Sequence, residues 1–160
     1  MTGSTMPFIS LVVGARPNFI KAAPLIHRMK NEGKIYFQLI HTGQHYDYAM
    51  SKSFFDLFSI PEPEVNLEIG SGFHGEQTGR ILLEYEKLII KKRPDLVIVL
   101  GDVNSTLAAA LASAKLHIPV AHIEAGLRSF DKTMPEEVNR VLTDHLSDLL
   151  FVTEDSAIAN

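Results

Sequence analysis

The 160-residue chain contains no cysteine. That excludes disulfides, thiolate metal centres and cysteine nucleophiles, and it suits a reducing compartment. Nor is there an excess of positive charge. Fifteen Lys and Arg against 19 Asp and Glu leave a formal net charge of -4, so nothing electrostatic draws the chain to nucleic acid or an anionic membrane. No apolar run approaches the ~20 residues that a membrane span needs. The opening MTGSTMPFIS lacks a basic segment followed by a long apolar one, so no signal peptide is expected and the chain reads as soluble and cytoplasmic. The G-x-G-x-x-G fingerprint is also missing, because Gly14 stands alone in VVGARPNFIK, and there is no Walker A loop. No NAD cofactor is expected.

What is present is an ordinary globular composition, 46% hydrophobic and 21% charged, enough for a real core in about one domain. Short apolar runs at 8–14, 35–43, 96–102, 119–125 and 149–154 read as strands, and several are continuously apolar, as strands covered on both faces are. Helical patterns fall between them at 17–31, 47–58, 75–92, 105–116 and 135–147. The helix at 75–92 stripes Ile81, Leu82, Tyr85, Leu88 and Ile89. The one at 135–147 stripes Val138, Val141, Leu142, His145 and Leu146. NSTLAAALASAK opens with three capping residues, and its alanines permit close approach to a sheet. Strand–helix alternation predicts an α/β fold, a Rossmann-like doubly wound parallel sheet with helices on both faces. Residues 59–75 form the one long irregular stretch, and TEDSAIAN reads as a helix start in a longer protein.

Ligands of open parallel sheets bind beyond the carboxyl ends of the strands. In VVGARPNFIK, Arg16, Asn18 and Lys21 follow a strand at a helix start, where backbone N–H groups and two cations make an anion site; a tight turn with solvated cations is the alternative. HTGQHYD sets His41, Gln44, His45, Tyr46 and Asp47 after the second strand, at a spacing that matches no zincin pattern, and no metal is expected. LVIVLGDVNST delivers Asp102 at a strand end, either as an acid–base group or as a loop brace. In PVAHIEAGLRSFDKTMPEEVNR, Glu124 leaves an apolar strand, where partial desolvation suits a carboxylate to acid–base work. Thr133, Pro135 and Glu136 fit a capping box, which makes Glu136 structural on spacing alone. Arg128 and Arg140 are placed to neutralise neighbouring acids, and Asp131, Lys132 and Glu137 read as solvent-facing or structural.

Together, GARPNFIKAAPL, HTGQHYD, GDVNST, HIEAGLRS and MPEEVNR resemble the non-hydrolysing UDP-N-acetylglucosamine 2-epimerases along essentially the whole chain, in their N-terminal half. The resemblance implies one half of a two-domain, GT-B-like fold, with residues 1–160 as the N-terminal Rossmann-like domain and the C-terminal nucleotide-binding domain outside the chain. It implies elimination of UDP across C1 and C2 of the sugar, a 2-acetamidoglucal intermediate, and re-addition with C2 inverted, without cofactor or metal. By motif it implies acid–base roles for Asp102, Glu124 and Glu136 and nucleotide or phosphate contacts for Arg16 and Lys21. The partners it implies are a UDP-sugar substrate and a second copy of the chain, and the fragment alone is expected to be inactive. GQHYDYAMSK departs from the pattern of members that bind a second sugar nucleotide, so no allosteric site is assigned. Two alternatives stand beside this reading: a hydrolysing 2-epimerase that releases N-acetylmannosamine and UDP, and a non-catalytic sugar-nucleotide-binding module.

Overall fold

The computed structural model describes residues 6–43, 55 and 58–160. Strands β1 (Phe8–Val13), β2 (Tyr36–His41), β3 (Val65–Asn66), β4 (Leu96–Leu100), β5 (Val120–Ala125) and β6 (Leu149–Val152) alternate with helices α1 (Arg16–Glu32), α2 (His74–Lys91), α3 (Asn104–Lys115) and α4 (Pro135–Leu146). A 3₁₀ turn, Asp155–Ala159, closes the series. The strands form one parallel sheet in the order β3-β2-β1-β4-β5-β6, the doubly wound arrangement expected from the sequence. The direction in which strands are added reverses between β1 and β4. Their ladder runs only from Ile9↔Leu96 to Leu11↔Ile98, so the two strands part at their carboxyl ends and leave a crevice.

Alternation along the strands explains the two-sided core. Ile9, Leu11 and Val13 of β1 and Ile98 and Leu100 of β4 face α1, where Phe19, Ala22, Ala23, Ile26 and Met29 cover them. Val12, Val97, Val99 and Val120 face the other way, against Tyr85 and Ile89 of α2 and Ala109, Ala110 and Ala112 of α3. The α3 alanines are essentially inaccessible, which is the close approach their small side chains allow. Tyr85 is fully buried and its hydroxyl meets Ser10 Oγ at 2.8 Å, so this buried polar strand position facing α2 has a partner.

Three expectations need correction. The stretch 59–75 is not wholly irregular, because Val65 and Asn66 pair with Ile40 and His41 at the sheet edge, a strand too short for any periodicity. Asn104, Ser105 and Thr106 do not cap α3. Val103 holds the N-cap position without a side-chain bond, and the three polar residues are buried in the first turn, where Thr106 Oγ1 donates to the Leu100 carbonyl (2.8 Å) and Ser105 meets the Thr42 hydroxyl (2.7 Å). The third concerns α4. Its expected apolar stripe is largely outside, with Val138 and Leu142 exposed, while Glu137, Asn139, Thr143 and Asp144 are buried. A polar face turns inward here because long-range partners at the strand ends receive it. The helix expected at 47–58 lies outside the described residues except at Phe55 and Phe58, both helical, and Gln44, His45, Tyr46 and Asp47 lie outside them too.

His41 is a core residue. Its ring lies 5.1 Å from that of Phe19 and is almost inaccessible, so desolvation lowers its pKa to about 4 although bonds with the Asn66 side chain and Gly14 backbone act the other way. An unfolded histidine binds its proton near ~6.5. Between the two values the unfolded state holds more protons, so stability is complete above about pH 6.5 and falls as pH drops toward 4, by about 3 kcal/mol from this group. Urea midpoints measured from pH 7 to 4.5 should therefore fall more steeply for the parent chain than for His41→Gln. Equal slopes would contradict a neutral, buried His41.

Candidate active site

The crevice between β1 and β4 is spanned by one side chain. Asn18, at the third position of α1, is 3% exposed. Its Oδ1 accepts from the N–H groups of Gly14 (3.2 Å) and Ala15 (3.0 Å), and its Nδ2 donates to the Leu100 carbonyl (3.1 Å). Two backbone donors expected to serve an anion are thus already committed. Positive charge at this turn comes instead from the exposed side chains of Arg16 and Lys21.

Glu124 is placed by a break in the strand. Residues 120 and 122 of β5 face α3 and α4, and strict alternation would send Glu124 the same way. Its φ is instead +72°, and the β5–β6 register shifts between Ile123 and Ala125, which makes Glu124 a bulge residue. A bulge re-aims a side chain, and a left-handed conformation at a non-glycine residue marks strain retained by its surroundings. The carboxylate swings over the strand ends to Lys21, with Nζ and Oε2 2.5 Å apart. Gly101 forms the floor. Its φ is +66°, and a Cβ there would lie 3.4 Å from both Glu124 Oε2 and Asn18 Nδ2.

Asp102, next along, is ion-paired with Arg140 of α4. The same guanidinium donates to Glu137 Oε2 at 3.1 Å, and its Nε is buried without a partner among the described residues. Asn139 fastens the helix here by donating to the Asp102 carbonyl (2.9 Å) and to Asn104 Oδ1 (3.2 Å). Of the two readings left open for Asp102, the loop brace does not hold: it is half of an ion pair with a third of its side chain exposed.

Of the two glutamates that open α4, Glu136 departs from the capping role that its spacing predicts. No capping box joins Thr133 to Glu136: Met134 is the N-cap, and the Thr133 hydroxyl donates to Asp131 Oδ1 (2.6 Å). Glu137 is the structural one. It accepts from Ser129 N (2.9 Å), Ser129 Oγ (3.0 Å) and Phe130 N (3.0 Å), and these bonds, the Ser129 N–H foremost, hold it below the usual carboxylate range. Glu136 makes no hydrogen bond or ion pair among the described residues and is half-exposed one turn before Arg140, on the same helix face.

Lys21 and Glu124 thus meet beside Gly101, with Arg16 at the start of the same helix as Lys21, and Asp102 pairs with Arg140, one turn after Glu136 on α4. Asn139 is not among the residues that the sequence points to; Asn18 is, but at the anion turn rather than as a bridge across the crevice, and Arg140 is placed among acids without Asp102 as its partner. No local spacing signals the Asp102–Arg140 pairing, which joins residues 38 positions apart. Among the described residues no group of three or more His, Asp or Glu side chains is arranged to hold a metal ion.

A profile of the UDP-N-acetylglucosamine 2-epimerase family matches residues 27–160. A UDP-N-acetylglucosamine 2-epimerase homolog of Methanococcus maripaludis is 55% identical over 154 residues, covering 95% of this chain and 42% of the relative. A UDP-2,3-diacetamido-2,3-dideoxy-D-glucuronate 2-epimerase of Pseudomonas aeruginosa is 51% identical over 152 residues, covering 95% and 43%. The crystal structure of the Methanocaldococcus jannaschii UDP-GlcNAc 2-epimerase with UDP-GlcNAc and UDP superposes with a TM-score of 0.91 at 51% identity, over 95% of this chain and 42% of that one. The chain therefore spans about two fifths of the length of these relatives.

The contrast between the adjacent glutamates is measurable. Glu137→Gln leaves donors around a buried acceptor mismatched and should lower folding stability by about 2 kcal/mol. Glu136→Gln, with no partner to lose, should change it by less than about 0.5 kcal/mol. Chemical denaturation of both variants checks this, and equal losses would refute the division.

Proposed function

The chain belongs to the UDP-N-acetylglucosamine 2-epimerase family, and on that premise we propose that it is the N-terminal half of a two-domain enzyme that inverts C2 of a UDP-linked 2-acetamido sugar. The observation that carries the proposal is the arrangement at the switch point. Three carboxylates, Asp102, Glu124 and Glu136, come from two adjacent strand ends and the helix that follows, beside cations already drawn to two of them.

The chemistry needs that arrangement. No carbonyl adjoins C2, so its hydrogen is not acidic enough to leave alone. A carboxylate takes the C2 proton while the C1–O bond to UDP breaks, and the C–H electron pair becomes the C1=C2 double bond of 2-acetamidoglucal. Return of UDP to C1, with a proton delivered to C2 on the other face, gives the inverted sugar. Glu124 and Glu136 are assigned to proton transfer at C2, and Asp102 to transfer or to orienting them. Arg16 and Lys21 take the charge that grows on the departing diphosphate. Lys21 is then shared, since the cation that pairs with Glu124 also meets the leaving group.

The favoured substrate is UDP-N-acetylglucosamine. The Pseudomonas aeruginosa relative supports a second reading, because its 51% identity stands close to the 55% of the first relative named. That reading adds a 3-acetamido group and a C6 carboxylate to the same C2 chemistry. The setting is proposed to be cytoplasmic, and among the described residues no helix is long and apolar enough to cross a membrane. The full enzyme is proposed to be a homodimer, which the exposed Leu83 and Ile90 on one outer face of α2 support.

In heavy water, the full-length enzyme should place deuterium at C2 of recovered UDP-sugar, and assays with both nucleotide sugars identify the substrate. Glu124→Gln should slow turnover by at least about 100-fold. Protium retained at C2 would sink the elimination mechanism. Free sugar rising in step with UDP would indicate the hydrolysing reaction, and saturable binding without turnover a binding module. Sedimentation of the full-length protein should give twice the chain mass, and a monomer at micromolar concentration would remove the dimer.

A further inference from the structure

Beneath the three carboxylates lies a buried group that the reaction scheme does not use. His122, on β5, is fully inaccessible. Its Nδ1 lies 2.6 Å from Asp144 Oδ1 and its Nε2 lies 2.8 Å from the Gly101 carbonyl oxygen. A peptide carbonyl can only accept, so Nε2 donates. Asp144 is bound as a carboxylate: its Oδ2 accepts from the Gly126 N–H at 3.0 Å and pairs with Arg128 Nη1 at 2.6 Å. Burial alone would push Asp144 up, but the bonds from His122, Arg128 and Gly126 outweigh it and hold the carboxyl below its usual range. Nδ1 therefore donates as well.

We propose that His122 is a positioning residue for this site, a doubly protonated imidazolium whose two N–H groups tie the Gly101 turn to α4. The three elements it joins each carry one proposed acid–base group. Gly101 immediately precedes Asp102, Asp144 lies on the helix of Glu136 and Arg140, and His122 itself stands two residues before the Glu124 bulge. With one ring proton, a lone pair would face either the Gly101 carbonyl or the Asp144 carboxylate at hydrogen-bond distance, and that buried acceptor would be left unpaired. The charges nearest the ring are the Asp144 carboxylate on α4 and, through it, the Arg128 guanidinium from the loop after β5. His122 and Arg128 against Asp144 leave one positive charge beneath the site, and the two ring bonds fix the spacing of the elements they join. Its kinetic part rests on the C2 chemistry proposed above; the ring's protonation does not.

The full-length enzyme labelled with ¹⁵N-histidine tests both parts. Long-range ¹H–¹⁵N correlation spectra should show two protonated ring nitrogens for His122, assigned by their loss in His122→Gln. A signal from one bare ring nitrogen would overturn the proposal, whatever the enzyme turns over. His122→Gln keeps a donor at the Nε2 position and His122→Asn keeps one at Nδ1, and neither makes both bonds. Each should lower kcat roughly 10–100-fold, the loss of one charge-assisted bond, while UDP affinity stays within about twofold. Unchanged kcat, or a parallel collapse of kcat, UDP affinity and melting temperature, would overturn the positioning role. If the parent enzyme epimerises neither nucleotide sugar, the proposed function fails and the ring measurement still stands.

Discussion

Asn18 is the constraint on which the crevice depends. Where a parallel sheet changes winding direction, two neighbouring strands send their connections to opposite sides, and their carboxyl ends must separate. The β1–β4 ladder ends at Leu11↔Ile98, which would leave the Gly14 and Ala15 N–H groups and the Leu100 carbonyl without ladder partners. The Asn18 amide supplies both kinds, accepting twice on Oδ1 and donating on Nδ2. Buried backbone groups without partners cost about as much as lost hydrogen bonds, so this amide lets the gap exist at low energy. Lys21 and Glu124 meet at that gap, and Gly101, against which Asn18 packs, is its floor.

On this frame the charges are arranged in answering sets. Glu124 has Lys21, Asp102 has Arg140, Glu137 has Arg140 and two backbone N–H groups, and Asp144 has Arg128 and His122. Glu136 alone among these acids has no partner in the described residues. The sets differ in burial, and burial decides what each can do. Glu137 and Asp144 are nearly inaccessible and fully bonded, so they hold structure. Glu124 and Asp102 keep 21% and 33% of their side chains exposed, and their cations remain within reach of an anionic ligand. A diphosphate that engages Lys21 would therefore alter the surroundings of Glu124 at the moment its charge matters.

How much of this was legible in the sequence depends on the range of the interaction. Continuous apolar runs located five strands to within two residues at either end; in β1 and β4 two-sided burial leaves no room for polar alternation, whereas β6 is as apolar but exposed at all four positions. The stripe on α2 was read correctly, since Ile81, Tyr85 and Ile89 are the residues it buries. The facing of α4 was not. Local pattern assumes that the apolar side goes in, but Glu137, Asn139 and Asp144 find partners in Ser129, Asp102, His122 and Gly126, up to 37 residues away. The same blindness gave Glu136 a capping role that it does not have. Spacing recognises a capping box, yet it cannot see that the Ser129–Phe130 backbone folds back over the next residue.

At Glu124 backbone geometry adds to what the motif carries. The motif resemblance assigned it to proton transfer, and the strand end placed it near the crevice, but neither explains how a residue alternating toward α4 reaches Lys21 of α1. The explanation is its φ of +72°, a conformation that costs an L-residue about 1–2 kcal/mol relative to glycine. Gly126, two residues on, is also left-handed, and there a Cβ would strike the Ala157 carbonyl at 2.3 Å, so glycine is sterically required. At position 124 glycine would relieve strain and a glutamate stands instead. Such a choice leaves fold stability on the weaker side, and it is intelligible if the carboxylate is needed above the strand ends rather than below them. The inference runs from an observed outlier to a role, which is the direction in which backbone strain carries information.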